Sequence, residues 1–300
     1  MYWTGDGPKE DKADSAALGF DGCINDEFIE KWFNITRYYS EKYKDMISGW
    51  FIDGCYDHIG YNEDILAEFA KNLKAGNPDA VIAFNKGWAY HNAFRKSSYA
   101  ADYTAGEMYG MHYPCKNLDI DGIRWHHYLP MGHEYCAEHV VYTNTQMIEY
   151  IKTCVGNGGF LTLGNAATGD AHQMDEAQMH QLRMIREVIR EGKENKDVLK
   201  KNAFDKIEAK SCVDMNLYVS SLIDVDYRED YGMWVQGTRL TQCGDSIFAE
   251  NTEHVGWFKY NNVDFGDGAE SFAVSISEAE GEEYRIEVRI DSPSVPSQQK

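Results

Sequence analysis

The sequence predicts an α/β chain in two parts: a partial (β/α)8 TIM-type barrel, then an incomplete all-β sandwich. Three observations carry this expectation. Up to residue 191, short apolar strand patterns alternate with helical ones, which describes a parallel sheet covered by helices. About six such strands occur, where a closed barrel of this type needs eight. Beyond residue 204 the hydrophobic period falls to two, as in antiparallel sheet with one wet face.

Each element has a local reason. Met1 to Thr4 reads as a short strand. From Asp26 to Lys44, Phe28, Ile29, Trp32, Thr36, Tyr39 and Tyr43 recur at helical spacing. Ile47 to Asp53 is a buried strand running into Gly54. Ile65, Leu66, Phe69, Ala70 and Leu73 mark a helix that Gly76-Asn77-Pro78 ends. Ala80 to Asn85, Ala101 to Ala105 and Ile123 to Tyr128 are three further strand candidates. A helix through Met147, Ile148, Ile151 and Val155 precedes Gly158-Gly159 and the strand Phe160 to Leu163. The last helix of this part uses Met179, Leu182, Ile185 and Ile189 and stops near Gly192. Lys193 to Lys201, charged and poor in glycine, reads as a linker or a fraying helix end, so that a linker at 192–204 separates a domain at 1–191 from one at 205–300. In the latter, Phe272, Val274 and Ile276 alternate with small or polar residues, as do Tyr284, Ile286, Val288 and Ile290. Gly266-Asp267-Gly268 and Glu280-Gly281-Glu282 supply turns.

The formal net charge of −20 repels nucleic acid and anionic membrane surfaces, which carry charge of the same sign. Neutral partners such as glycans remain, and 20 Tyr with 7 Trp offer ring faces on which sugars stack. Seven Cys form no C-x-x-C pair, so neither a zinc ribbon nor a thioredoxin-type site is expected. No apolar run is long enough to span a bilayer, and Met1-Tyr2-Trp3-Thr4 has no signal-peptide character. The nucleophile elbow, the P-loop and the dinucleotide fingerprint are all missing.

In barrels of this kind, polar residues at the C-terminal ends of strands form the active site. Asp53 ends one strand and Glu107 follows another, so both belong to one rim; Asp57 and Asp102 compete with them. Two carboxylates about 5–5.5 Å apart suffice for glycoside hydrolysis with retention, one attacking the anomeric carbon while the other protonates the leaving oxygen. His126 and His127, being adjacent, point to opposite faces of a strand: one lines the pocket while the other packs against helices.

These segments also resemble a known family. Gly49-Trp50-Phe51-Ile52-Asp53-Gly54 is similar to the W-F-D-G strand end of the α-L-fucosidase family of retaining glycosidases. Asp102 to Glu107 resembles that family's D-F-x-T-x-E segment, and Gly158 to Asn165 its late G-G-N-L-L-L-N strand. The order is the family's own, over roughly residues 1–191. The resemblance implies an exo-acting hydrolase of terminal α-L-fucosides, with Asp53 as nucleophile, Glu107 as acid/base and no catalytic cofactor. It places Trp50, Asn85, Trp125 and His126 at the substrate. Lys86 stands where the family often has arginine, its upstream His-His motif has no counterpart, and its second tryptophan is replaced near His133 to Tyr135.

Residues 205–291 resemble a family-6-type carbohydrate-binding module, which implies a jelly-roll-like sandwich. Ile207 to Lys210 is similar to its opening I-E-A-E, Trp257 to Gly266 to Y-V-K-Y-K-N-V-D-F-G, and Ile286 to Asp291 to I-E-I-R-L-D. The resemblance implies a glycan contact at Phe248 and a structural calcium at Glu208, with Lys210 replacing the second acid. Together these features describe a glycosidase with an appended sugar-binding module, expected outside the cytoplasm. The competing description is a carbohydrate-binding protein or fragment without catalysis.

Overall fold

Apolar residues on alternate strand positions and on single helix faces build the larger part of the fold. The computed structural model describes residues 1–8, 11–87, 94–111, 119–120, 122–133, 135–168, 173–215, 238–243, 246–251, 257–275 and 286–289. Two compact units emerge. One contains Met1–Ala137 and Glu149–Gln173; the other contains Glu138–Ile148, Met174–Val219 and Val235–Lys300.

In the first unit, β1 (Tyr2–Thr4), β2 (Gly49–Asp53) and β3 (Val81–Phe84) form a parallel sheet in chain order. Tyr2 pairs with Phe51, and Phe51 with Ala83. Three helices connect the strands. Asp11 caps α1 (Lys12–Leu18), Asn25 caps α2 (Asp26–Tyr43) and Asn62 caps α3 (Glu63–Leu73), each accepting from otherwise orphaned backbone N–H groups. Trp50 and Ile52 of β2 join a core made with Phe28, Trp32 and Phe33 of α2 and Leu66, Phe69 and Leu73 of α3. Within it the rings of Phe33 and Phe69 stack at 4.2 Å. Strand alternation therefore sends Phe51 and Asp53 to the face turned away from these helices.

The parallel arrangement continues past β3. Asp102 N–H donates to Ile82 O at 2.8 Å, and Thr104 N–H to Arg124 O at 3.0 Å. Tyr103 bridges Arg124 and Glu107 bridges Tyr128, both in the parallel sense. Residues 102–107 thus lie between β3 and β6 (His126–Pro130), which pairs in parallel with β7 (Phe160–Gly164). Three inter-strand steps separate β2 from β6, a span of about 14 Å in a flat sheet. Yet Phe51 lies 6.1 Å from His126 and 5.6 Å from Tyr128, ring to ring. The sheet curls, bringing the side chains of this face towards one another.

Several expectations change. Ala101 to Ala105 is not a continuous strand, because the Thr104 hydroxyl accepts from His126 N–H in place of a backbone carbonyl. Gly106, at φ 64°, turns the chain immediately afterwards. Ile123 to Tyr128 divides at Trp125: β5 (Ile123–Arg124) pairs antiparallel with β4 (Asp119–Ile120), and β6 begins at His126. The helix α4 (Asn144–Gly156) starts with a reciprocal cap, in which Thr143 and Gln146 each accept from the other's backbone N–H.

The last helix, α5 (Glu176–Ile185), runs into a π-turn at Arg186–Arg190 and falls in the second unit, not in a domain ending at residue 191. Nor is 192–204 a bare linker. Asp197 is buried and accepts from Asn144 Nδ2 at 2.8 Å, and Asn262 Nδ2 donates to Val198 O at 2.7 Å. Lys201–Asn202 pairs with Val263–Asp264, Asp214–Met215 with Phe258–Lys259, and Thr238–Cys243 with Ser246–Asn251. Among the described residues, Phe272, Val274, Ile286 and Val288 are exposed and take part in no ladder. Ile276, Tyr284 and Ile290 lie outside the described residues.

Candidate active site

Asp53 closes β2 on the inward face, and Gly54 follows at φ 81°. That conformation, costly for any residue with a Cβ, lets Gly54 N–H donate to Asp53 Oδ1 at 2.9 Å. Asn85 comes directly after β3. Continuing the Phe51–Ala83 register places it beside Asp53. It is wholly buried and held by its backbone: its N–H donates to Ile52 O at 2.7 Å, and its carbonyl accepts from Cys55 N–H at 3.0 Å. Gly87 N–H fixes the amide orientation by donating to Asn85 Oδ1 at 3.1 Å.

Asn85 Nδ2 then donates to Asp53 Oδ1 at 2.9 Å and also to Glu107 Oε2. Two hydrogen bonds from one nitrogen keep those oxygens within about 6 Å of each other. This separation is under the 6.5–9.5 Å that leaves room for a water between carboxylates in inverting glycosidases. On its other oxygen, Oδ2, Asp53 accepts from the Tyr2 hydroxyl at 2.5 Å.

Glu107 is positioned through Gly106, where a Cβ would run into the His126 carbonyl. Burial raises the Glu107 carboxyl from 4.5 to about 7; the hydrogen bond from Asn85 opposes this and the charge of Asp53 adds to it. Burial also pushes the Tyr2 phenol well up, helped by its hydrogen bond to Asp53, so Tyr2 stays a donor. A ring of aromatic side chains surrounds the pair. Phe51 stacks on Tyr2 at 5.7 Å, and Tyr135 packs on Tyr128 at 4.9 Å and on Tyr109 at 5.2 Å. The phenols of Tyr128 and Tyr135 are raised, first by burial and then by the Glu107 charge. Reading the sequence for carboxylates and tryptophans missed Tyr2, Tyr128 and Tyr135. Strand parity held the signal, since Tyr2 pairs with Phe51 and Tyr128 lies two residues from His126.

Asp53, Glu107 and Asn85 are thus brought together, whereas two residues expected at the substrate, Trp50 and Trp125, are not. Trp50 faces the helices, is 1 % exposed and meets Trp3 edge-on, and its indole N–H finds no partner among the described residues. Trp125 is 2 % exposed and stacks on Phe94 at 5.2 Å, on the same side as His127 and opposite to His126 and Tyr128. Both corrections follow from alternation along a strand.

His126 does face inward, but the protein occupies both ring nitrogens. Nδ1 lies 2.9 Å from Ala105 O and 3.2 Å from Thr104 O, acceptors that require it to carry the proton. Nε2 accepts from the Thr162 hydroxyl at 3.0 Å. Burial lowers His126 from 6.5 to about 4, against those two carbonyl contacts, so it is a neutral brace for the Glu107 segment. His127 also packs, against Tyr150 OH and Met108 O.

The competing acids lie elsewhere. Asp57 pairs with Lys86 at 2.9 Å, which also occupies the ammonium standing in the arginine position. Asp102 pairs with Lys74 at 2.9 Å and accepts from Ile82 N–H. The Phe248 side chain lies outside the described residues; its backbone pairs with Thr241. Glu208 does not fit a calcium cage. It is exposed and bound to the Lys206 ammonium at 2.8 Å, which also holds its carboxyl below the usual range. Among the described residues, no group of three or more His, Cys, Asp or Glu could hold a metal.

No protein-family model and no curated protein matches the sequence. Solved structures do. A single-substitution variant of the endo-fucoidan hydrolase MfFcnA4, from glycoside hydrolase family 107, is similar in fold at TM-score 0.50 and 18% identity, over 61% of this chain and 34% of its own. MfFcnA4 itself gives 0.47 at 19% identity over 57% and 32%, and the family 107 endo-fucoidan hydrolase MfFcnA9 gives 0.48 at 20% over 59% and 39%. This chain therefore spans about a third of the length of these neighbours, and at 18% identity the likeness to the MfFcnA4 variant is one of fold.

Proposed function

We propose that this chain carries the catalytic carboxylates of a retaining glycosidase acting on terminal α-L-fucosides, on an arc of a (β/α)8 barrel joined to a glycan-binding sandwich. One observation supports this above the others: a single buried amide nitrogen, Asn85 Nδ2, hydrogen-bonds both Asp53 and Glu107. That arrangement suits a nucleophile and an acid acting on one glycosidic bond without an intervening water.

In this reading Asp53 attacks the anomeric carbon while Glu107 gives its proton to the departing oxygen. A carboxyl raised to about 7 keeps that proton at working pH. Once the glycosyl ester has formed, the ionised Glu107 takes a proton from water, whose oxygen displaces Asp53, so Glu107 ends protonated and Asp53 ionised, as they began. The aromatic ring around the pair offers the sugar's C–H faces a stacking surface.

The test uses the full-length protein on 4-nitrophenyl glycosides, with the first-formed anomer followed by NMR. Release of α-L-fucose, initially as the α anomer and lost in Asp53→Ala, is expected. A first product of inverted configuration would refute the assignment of Asp53 as nucleophile. The names of the fold neighbours favour a second reading, endo-cleavage of fucoidan. Reducing ends released from fucoidan without free fucose would select it. A folded protein that binds glycans and cleaves none would leave the non-catalytic description.

A further inference from the structure

Tyr2 touches the carboxylate pair, and the double-displacement scheme gives its hydroxyl no part. Its hydroxyl donates to Asp53 Oδ2 at 2.5 Å, whereas Oδ1 already receives Gly54 N–H and Asn85 Nδ2. Oδ2 is therefore the oxygen with lone pairs to spare for the anomeric carbon. The ring is fixed from two directions. Residue 2 is registered against Phe51 across the parallel ladder, and the two rings stack 13° from parallel. Tyr2 is nevertheless 58 % exposed as a residue, while its hydroxyl is held on the carboxylate.

We propose that Tyr2 is a positioning residue for Asp53 that acts chiefly in the second half of the reaction, on the leaving carboxylate. The proposal rests on the glycosidase reading above. When Asp53 Oδ2 bonds to the anomeric carbon, the oxygen loses its charge and the Tyr2 hydrogen bond weakens. When water attacks, the C–Oδ2 bond breaks, its electron pair returns to Oδ2, and Tyr2 donates to the charge as it develops. The Tyr2 proton stays on Tyr2 throughout, and Glu107 takes the proton of the water. Tyr2 thus costs the first step a little and speeds the second.

Tyr2→Phe keeps the stacking on Phe51 and removes the donor. On α-L-fucosyl fluoride, whose good leaving group makes the first step fast, kcat should fall by about 10- to 100-fold. The ratio kcat/KM, which reports the first irreversible step, should change by less than about 3-fold, so KM falls with kcat. A burst of fluoride equal to the enzyme concentration should appear, with a glycosyl adduct on Asp53 by intact mass. A general loss of structure would lower kcat/KM along with kcat and give no burst. An unchanged kcat, or a parallel fall of kcat and kcat/KM, would overturn the proposal. Asp53→Ala, measured alongside, separates the two layers. Turnover that Asp53→Ala abolishes but Tyr2→Phe leaves untouched refutes the role of Tyr2 alone. A folded protein that turns over no fucoside, or an active Asp53→Ala variant, refutes the glycosidase reading and the Tyr2 role with it.

Discussion

Replacing Glu107 by Gln preserves the shape of the side chain and its capacity to accept from Asn85, but removes its titration. Burial raises the carboxyl from 4.5 to about 7, so between those values the folded protein holds a proton that the unfolded chain releases. The stabilisation tied to that proton is complete below the unfolded value and disappears as pH rises through about 7. By linkage it amounts to at most about 3 kcal/mol. His126 works in the opposite direction. Its folded value, lowered from 6.5 to about 4, makes the protein more stable as pH rises over that interval. The two slopes oppose each other between pH 4.5 and 6.5, so the wild-type profile alone conceals both. Their separation comes from the difference between Glu107→Gln and wild type, measured by urea unfolding at pH 4.5 and pH 8. The variant should gain about 2–3 kcal/mol relative to wild type between those two conditions. A difference that stays within about 0.5 kcal/mol, inside the range of a neutral surface change, would refute the buried-acid argument. The same variant should lose its ability to protonate a poor leaving group.

Asp53→Ala should reduce turnover more than about 1,000-fold while glycan retention on an affinity column persists; near wild-type rates would remove Asp53 from the mechanism. The basic limb of kcat/KM should fall near pH 7, where Glu107 loses its proton, and activity undiminished at pH 9 would count against Glu107 as the acid. Gly106→Ala should lower Tm and activity together, since its Cβ meets the His126 carbonyl at φ 64°; a variant with wild-type melting would contradict that clash. Trp125→Ala should cost about 3–5 kcal/mol of stability by emptying a stacked core site, while a raised KM with unchanged stability would return Trp125 to the substrate.

Element positions in the first unit were readable wherever a pattern is local. The periodicities of α2 and α3, the Asn-capped starts and the apolar strands β2, β3 and β7 depend on neighbours within a few residues. Tryptophan misled the reading. Trp50 and Trp125 lie one residue from inward-facing Phe51 and His126, and a shift of one position along a strand exchanges core for cavity. The hairpin Thr238–Cys243 with Ser246–Asn251 was also overlooked, although Gly244-Asp245 between alternating runs is a two-residue turn signal.

Local chemistry proposed the two carboxylates beside Asp57 and Asp102, and the family resemblance chose between them. Asp53 ends a buried strand and is followed by Gly54, whereas Glu107 comes directly after Gly106, and both are features of consecutive residues. Their partnership is a tertiary fact. It needed the parallel register that sets Asn85 beside Asp53, the curl of the sheet that turns this face in on itself, and the burial that raises Glu107. Hydrogen bonds between residues 22 and 32 positions apart, and the desolvation of a carboxyl, depend on where the chain returns in space. For the same reason Tyr2, 51 residues from Asp53, became visible only once β1 lay against β2.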